Sequence, residues 1–451
     1  MTLEFPPAPA TVAVRKASHS RRSAKRAVDT ISAVVIVDSD SYTKWGVAIL
    51  ASMPADWNKK ILLVATPVAP SAAQLTAAVA GSGFVSADVS RVGVAEVIRR
   101  VRADKPDVVL VSMLGLPATV VLTELHELPD RPVLVTGLPG ISIPATELAI
   151  LRRVQADLFL VHSKREVRAF ELLAAELGTD LRFALSRLPF VRTALTATER
   201  EGARPGTDIV FAAQAIVPLD RGDRTRMLQI LALLAETHPQ YRVVIKLRAT
   251  RGEQQTHDED DSYEDLLDEL ENAPANLVVA SGPMGRFLDD AAALVTISST
   301  SAIEAIALGV PVIALDEFGV GPDLINDVFV DSGLLADAEA LVAADFRTPA
   351  PHWLDDNYFH ADADNTWLTA LDELLRERSL GMLPDRAPLE PRRGGALRRA
   401  WERRKEFGGL DRSPSAIVAL VVGVPARAIV RLVLFVRTPR AVRAANRILG
   451  G

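Results

Sequence analysis

The chain of 451 residues contains no cysteine. This excludes disulfide frameworks, thiolate metal sites and cysteine nucleophiles, and it fits a cytoplasmic protein. Aromatic residues make up only 5% of the chain, so we do not expect a long platform for stacking carbohydrate. A Walker A sequence is also missing, and ATP hydrolysis therefore has no support.

Metal-ligand patterns are equally sparse. The acidic run "DEDD" at 258–261 is the main cluster of potential ligands, and such a run is more typical of a charged loop than of a cation site. We therefore expect no bound metal.

The charge of the chain is unevenly distributed. The formal net charge is −6, but residues 1–30 carry +4 and residues 388–451 carry +10, which leaves −20 on the body. An acidic body with basic ends indicates a surface partner and argues against a nucleic-acid groove. Prolines and charges interrupt residues 1–30, so we interpret them as a disordered basic N-terminus without a signal peptide.

The basic C-terminal tail, 388–451, contains the apolar run "SAIVALVVGVPARAIVRLVLFV". Pro425, Arg427 and Arg431 lie inside this run, and central arginines are costly in a bilayer. The pattern favours an amphipathic helical tail that lies on an anionic membrane surface. The alternative is a tail whose apolar side packs back onto the body.

The body alternates short runs rich in Val, Ile and Leu with helical stretches of about 10–15 residues. This pattern predicts an α/β fold with parallel sheets covered on both faces. The alternation of strands and helices stops at a polar, turn-rich stretch and then begins again. This predicts two Rossmann-like doubly wound domains that face a cleft. The predicted units are a first domain (31–192), a linker (193–206), a second domain (207–345), a crossover helix region (346–387) and the tail (388–451).

The stretch "VTISSTSAIEAIALGVPVIAL", 295–315, combines an apolar strand, a hydroxyl-rich loop and a helix. Backbone N–H groups at a helix start favour phosphate, and hydroxyl side chains add donors. Glu304, one turn into the helix, could accept hydrogen bonds from a ribose or sugar diol. The alternative is a plain helix cap in which Ser301 and Glu304 form a capping box. The candidate phosphate-binding residues are Ser298, Ser299, Thr300 and Ser301.

This stretch resembles the donor-nucleotide segment of GT-B glycosyltransferases. It is similar in style to the bacterial capsule polysialyltransferase-like and CDP-glycerol glycerophosphotransferase-like enzymes, and the whole chain resembles an actinobacterial family described as glycosyltransferases. Residues 156–178, "ADLFLVHSKREVRAFELLAAELG", are similar to the last βα unit of a GT-B N-terminal domain. The resemblance implies a nucleotide-activated sugar as the substrate on the second domain, with no further cofactor.

In the capsule-type enzymes the resemblance also implies basic residues at a strand end written "K.HP". Here Lys246 and Arg248 are present, but Leu247 and Ala249 stand where His and Pro are expected. His257 is a candidate substitute for the missing histidine. A solvated strand end is the alternative interpretation of Lys246 and Arg248.

The loop "VDSDSYTKWG", 37–46, follows the first strand and should face the cleft. Asp38 or Asp40 could act as the general base on an acceptor hydroxyl, unless Asp40 merely caps the next helix. "DSD" also matches the metal-binding Asp-x-Asp of GT-A enzymes, but its place in a two-domain chain argues against that role. The candidate acceptor-binding residues are Tyr42, Lys44, Trp45, Gly140 and Ser142.

Together these features predict a glycosyltransferase that works at the inner membrane face, on a surface glycan or a lipid-linked acceptor. A sugar-nucleotide 2-epimerase or a glycerophosphotransferase of the same fold remains an alternative. A non-catalytic nucleotide-binding protein is a third, because the "K.HP" pattern is incomplete.

Overall fold

The computed structural model describes residues 30–189, 206–214, 217–247, 262–386 and 395–422. Several features predicted from the sequence lie outside these ranges. They are the N-terminus up to residue 29, nearly all of the linker, Arg248, His257 and the tail beyond residue 422.

The first domain is built on seven parallel strands: β1 (Ser32–Val37), β2 (Asn58–Val64), β3 (Val89–Val92), β4 (Val108–Ser112), β5 (Val133–Gly137), β6 (Leu158–Val161) and β7 (Arg182–Leu185). Their order is β3-β2-β1-β4-β5-β6-β7. The alternating helices are α1 (Asp40–Ser52), α2 (Ala72–Val79), α3 (Val94–Asp104), α4 (Gly115–His126), α5 (Glu147–Leu151) and α6 (Lys164–Glu176).

The second domain repeats this plan with six parallel strands: β8 (Asp208–Ala212), β9 (Arg242–Leu247), β10 (Leu277–Ser281), β11 (Ala291–Thr296), β12 (Val312–Leu315) and β13 (Leu335–Ala336). Their order is β10-β9-β8-β11-β12-β13. The helices are α7 (Arg221–Thr237), α8 (Tyr263–Asp268), α9 (Met284–Asp289), α10 (Ser301–Ala307) and α11 (Ala338–Val342). The two Rossmann-like sheets confirm the predicted GT-B fold class.

The C-terminal part returns to the first domain. Its helices are α12 (Pro351–Asp356), α13 (Trp367–Ser379), α14 (Gly395–Phe407) and α15 (414–422), and short 3₁₀ helices lie at Ser86–Asp88, Asp327–Phe329, Asp362–Asp364 and Gly408–Leu410. Trp367, Leu371 and Leu374 of α13 are buried in the apolar cluster on one face of the first sheet. Helix α13 lies within the region 346–387 that the sequence assigns to the crossover.

Both sheets are buried on two faces, which explains their continuous apolar strands. In β1, Val35, Ile36 and Val37 are all fully buried, and they divide between the two core clusters that flank the first sheet. The short strands β3, β7 and β13 are missing from the sequence interpretation. Only the outer residues of β3 are buried, so it lacks the apolar run that marks the central strands.

The described part of the chain contains no candidate for a membrane-spanning helix. None of its helices combines the length and the hydrophobicity that spanning a bilayer requires.

Gly46 allows helix α1 to pack closely on the first sheet. A Cβ atom at this position would lie 2.6 Å from Cβ of Ser112 and 2.9 Å from Cγ2 of Val35. We predict that Gly46→Ala lowers the free energy of unfolding by about 1–3 kcal/mol because it overpacks this contact. Chemical denaturation would measure the change.

Gly285 in helix α9 supplies the matched control, since a Cβ there meets nothing within 4 Å. Gly285→Ala should leave stability unchanged or raise it by about 0.4–1 kcal/mol. Equal losses in the two variants would contradict the packing argument.

Candidate functional site

The strand order of each sheet reverses at one point. In the first sheet β1 lies between β2 and β4, so that Val37 pairs with Leu63 on one side and Ser112 on the other. In the second sheet β8 lies between β9 and β11. Ligands of such folds bind in the crevice outside the carboxyl ends of the strands at this reversal. The residues that follow β1 and β11 are those that the sequence singles out, Asp38 and the hydroxyl loop.

Asp38 directly follows β1 and is fully buried. Its Oδ2 atom accepts a hydrogen bond of 3.0 Å from the backbone N–H of Leu114, just before helix α4. Its Oδ1 atom has no hydrogen-bond partner within the described residues. Burial raises the pKa of this carboxyl to about 7, although the Leu114 hydrogen bond and the nearby Arg153 charge act in the opposite direction. Asp38 can therefore exchange a proton near neutral pH.

Asp40, the other candidate base, is exposed at the first position of helix α1. The residue at the N-cap of that helix is Ser39, and its side chain makes no capping hydrogen bond. Asp40 is thus not the N-cap that the alternative interpretation assumed.

Arg153 is a buried residue of this site that the sequence analysis did not identify. Its Nη2 atom donates to the hydroxyl of Tyr42 at 2.8 Å and to the carbonyl of Met113 at 2.9 Å. Tyr42 is itself buried, and burial raises its pKa. The structure therefore corrects the prediction that Tyr42 orients an acceptor, because its hydroxyl is held by Arg153 inside the domain.

Trp45 is also placed differently from the prediction. The side chain is fully buried, and its indole N–H donates to Nε2 of His162 at 2.7 Å. Gly137 makes room for it, since a Cβ at Gly137 would lie 2.6 Å from the Trp45 ring. Trp45 cannot offer a stacking face to a sugar in this conformation. Ile49, one turn later in the same helix, is also buried and shares this inward face.

Glu166 holds together the loops behind the site. Its carboxylate accepts hydrogen bonds from the Tyr358 hydroxyl (2.6 Å) and from the backbone N–H groups of Ser142 (2.9 Å) and His162 (2.7 Å). It is fully buried, and burial raises its pKa. Ser142 thus lies at the predicted cleft loop with its backbone fixed, while its hydroxyl donates to the carbonyl of Gly140 at 3.2 Å.

The hydroxyl loop after β11 is ordered by its own side chains and by Gln214 after β8. The Ser298 N–H and hydroxyl both donate to Oε1 of Gln214 at 3.1 Å. Ser299 accepts from the N–H of Ser301 at 3.2 Å and donates to its hydroxyl at 3.0 Å. Gln214 could have been suspected from the sequence, because it ends the first strand of the second domain.

The capping alternative for Glu304 is not what the structure contains. The N-cap residue of α10 is Thr300, which makes no side-chain capping bond. Glu304 instead contacts the first domain: its Oε1 atom lies 3.2 Å from Nζ of Lys44. A second close approach comes from the loop after β5, since a Cβ at Gly140 would lie 2.7 Å from Oγ1 of Thr300. The segments predicted to bind the donor and the acceptor therefore meet across the cleft.

Lys246 lies in β9, the strand beside β8, and is largely buried. Its position at the carboxyl half of that strand agrees with the predicted location, whereas its role stays a prediction. Arg248 and His257 lie outside the described residues.

A cavity of about 620 Å³ lies elsewhere, at the amino ends of β1 and β2. Its cations already have partners: Lys60 pairs with Asp104, and Lys59 donates to two backbone carbonyls. We therefore place the functional site in the cleft and not in this cavity. Metal-type clusters of three or more His, Asp or Glu side chains are absent among the described residues.

Two parallel Rossmann-like sheets with polar loops converging across a cleft define a protein of the GT-B class. Residues 33–374 match the model of the family described as "Putative glycosyltransferase (DUF6716)". The chain belongs to this family, and we treat it as a glycosyltransferase. No curated protein matches the chain.

Solved structures show weaker likeness. An epimerase from Listeria monocytogenes, described as a "putative UDP-N-acetylglucosamine 2-epimerase", is 15% identical over 79% of this chain and 98% of its own, with a TM-score of 0.47. Phytolacca americana UGT2, complexed with UDP-2fluoro-glucose and pterostilbene, is 12% identical over 78% and 96%, with a TM-score of 0.44. The spinosyn rhamnosyltransferase SpnG is 16% identical over 79% and 97%, with a TM-score of 0.39. At these values the likeness carries no argument about substrate.

The raised pKa of Asp38 has a consequence for stability. A carboxyl whose pKa is higher in the folded state than in the unfolded state stabilises the fold when it is protonated. For Asp38 this contribution is complete at a pH below 3.8, the pKa in the unfolded state, and it is lost as the pH rises towards about 7, the pKa in the folded state. We predict that Asp38→Asn gains stability relative to the wild type as the pH rises from 4 to 7, with a plateau above 7. Melting temperatures of both proteins across this range would measure the difference.

Asp323→Asn serves as the control, because Asp323 is exposed. It should show a much smaller pH-dependent difference. A flat difference for Asp38→Asn would contradict the burial of a carboxyl that ionises near neutrality.

Proposed function

We propose that this protein transfers a sugar from a nucleotide-activated donor, held on the second domain, to a glycan or lipid-linked acceptor at the inner membrane face. Family membership supports the reaction type. The observation that carries the proposal further is the meeting of two helix starts: Lys44 of α1 contacts Glu304 of α10 at 3.2 Å. Donor and acceptor segments that touch can bring two substrates within reacting distance.

The donor would use the carboxyl edge of the second sheet. In this proposal the nucleotide phosphates lie at the hydroxyl loop 298–301, and Lys246 and Arg248 offset the charge that develops on the leaving diphosphate. Glu304 accepts hydrogen bonds from the ribose or sugar diol. Lys44 would then leave Glu304 when the donor enters, and the polar groups of the donor would replace the lysine as partners of this partly buried carboxylate.

The acceptor would be activated from the first domain. Of the two candidate bases we favour Asp38, because it lies at the strand reversal and its burial raises its pKa to about 7. An acceptor hydroxyl would reach Asp38 only when the loop before α1 moves, since Asp38 is buried here. The acceptor hydroxyl would lose its proton to Asp38 as its oxygen bonds to the anomeric carbon and the nucleoside diphosphate departs. The proposal includes no metal and no cofactor beyond the nucleotide sugar.

Nucleotide binding provides the first test, because a ligand of the folded state raises its melting temperature by mass action. At a concentration one hundred times its Kd, a nucleotide would stabilise the protein by about 2.7 kcal/mol. We predict that one class among CMP, CDP, UDP and GDP compounds raises the melting temperature, and that Glu304→Ala weakens this binding about tenfold or more, since it removes a charged acceptor. Differential scanning fluorimetry would measure both effects.

Two variants control this experiment. Lys44→Ala breaks the same ion pair but keeps Glu304, so it should retain nucleotide binding. Glu339→Ala removes a carboxylate from the first turn of the separate helix α11 and should behave like the wild type. If no nucleotide raised the melting temperature of the folded protein, the result would contradict the proposed donor site.

Product analysis separates the alternatives. A glycosyltransferase releases the nucleotide of its donor, CMP from a CMP-sugar or a diphosphate from a UDP- or GDP-sugar, when an acceptor is present. Asp38→Asn should abolish that release more completely than Asp40→Asn. A 2-epimerase would return an intact nucleotide sugar inverted at C2. A glycerophosphotransferase would use CDP-glycerol, and a non-catalytic protein would bind a nucleotide without any turnover.

A further inference from the structure

Helix α15 turns its large aliphatic side chains towards solvent. Ile417, Val418, Val421 and Val422 are exposed by 56%, 54%, 68% and 46%, whereas the small residues Ala416 and Ala419 are fully buried. The four exposed residues recur with the spacing of one helical face. This arrangement is the reverse of an ordinary surface helix, which buries its apolar face. A continuous apolar face of this kind marks an interaction site.

The position of α15 is fixed by a buried arginine. Arg403 of helix α14 donates to Glu124 of α4 at 2.6 Å and to Asp411 at 2.9 Å. Its remaining N–H groups reach the hydroxyls of Ser413 and Ser415 at 3.0 and 2.6 Å. Arg403 thus ties the start of α15 to the first domain, so the exposed face is held outward by the fold.

The anchored segment runs towards the carboxyl edge of the first sheet. Arg399 pairs with Glu127 just after α4, and Arg403 pairs with Glu124 within it. Further along, the carbonyl of Leu410 approaches Gly93, which follows β3. Leu410 thus lies near the carboxyl edge of the sheet, whereas Ser413 and Ser415 at the start of α15 return to Arg403.

The chain that continues from this face is strongly basic. Between residues 423 and 451 there is no Asp or Glu, and the six arginines are Arg427, Arg431, Arg437, Arg440, Arg443 and Arg447. An exposed apolar face joined to a cationic segment matches the chemistry of an anionic bilayer, whose acyl region accepts the aliphatic side chains while its phosphates attract the arginines.

We propose that the exposed face of α15 docks on an anionic lipid bilayer and thereby holds the first domain against the membrane. This deepens the membrane-face location within the proposed function and names the surface responsible. A second copy of the chain is the poorer occupant, because pairing two such faces would bring both sets of arginines together and like charges repel.

Vesicle flotation of the full chain tests this docking. The protein should float with vesicles containing phosphatidylglycerol and phosphatidylcholine, less with phosphatidylcholine alone, and less at high salt because salt screens the arginines. Val418→Ser with Val421→Ser should weaken the partitioning about tenfold, because two buried aliphatic side chains are lost from the bilayer.

A matched pair of substitutions controls for surface hydrophobicity in general. Val85 and Leu172 are exposed by 59% and 65%, close to the values of the docking pair, but they lie on other surfaces. Val85→Ser with Leu172→Ser should float like the wild type. All variants should keep the melting temperature of the wild type, since the substituted side chains are exposed.

Three results would overturn the proposal. The first is a full chain that stays off anionic vesicles, and the second is an equal loss in the two variant pairs. The third is a concentration-dependent dimer, seen by light scattering, that the docking pair abolishes while vesicles have no effect. Nucleotide binding is measured without vesicles, so failure of docking and failure of the donor site remain distinguishable.

Discussion

Every strand that the structure describes in the two main sheets runs parallel to its neighbours, and the location of the site depends on this constraint. Parallel strands place all their carboxyl ends on one edge, and the strand order reverses once in each sheet. The loops after β1 and β11 have to emerge at those two reversals. That is why Lys44 and Glu304 can touch although 260 residues separate them.

The polar side chains behind the point where the strand order of the first sheet reverses are costly to bury. Glu166 and His162 offset this cost with hydrogen bonds. Glu166 receives three hydrogen bonds, one of them from Tyr358 of the returning C-terminal segment. His162 accepts from Trp45 and donates through Nδ1 to the Ser186 carbonyl at 2.8 Å, and its burial lowers its pKa to about 4. These bonds make the wall of the cleft rigid. Oδ1 of Asp38 and Nε of Arg153 are exceptions, because these two buried atoms lack a partner within the described residues.

The sequence predicts the fold well because its signal is local. Continuous apolar strands such as β1 and β4 separated by amphipathic helices are sufficient to indicate two doubly wound domains. The short strand β7 carries no such run and owes its place to pairing with β6. The site is less predictable, since a loop position does not reveal which way a side chain turns.

Trp45 and Arg153 illustrate this limit. Polar neighbours suggest that Trp45 faces the cleft, yet Gly137, nearly one hundred residues away, leaves the space that draws it inside. Arg153 follows α5 without any motif around it, and only the fold brings it to Tyr42. Glu304 stands out in the sequence by its place one turn into a helix, whereas its contact with Lys44 depends on the packing of two domains.

Ion pairs link helix α6 of the first domain to the C-terminal segment. Lys164 at the start of α6 pairs with Asp355 and Asp364 of the C-terminal segment, and Arg168 pairs with Asp356. These pairs are partly exposed, so each contributes little to stability and can be exchanged at small cost. Apolar contacts hold α13 on the first domain more firmly. The ion pairs are not the main link between the domains, because Ile143 of the first domain lies in the same buried apolar cluster as Val210 and Ile303 of the second. In the proposed reaction, a donor that takes over Glu304 would break a weak electrostatic contact while this cluster holds the domains together.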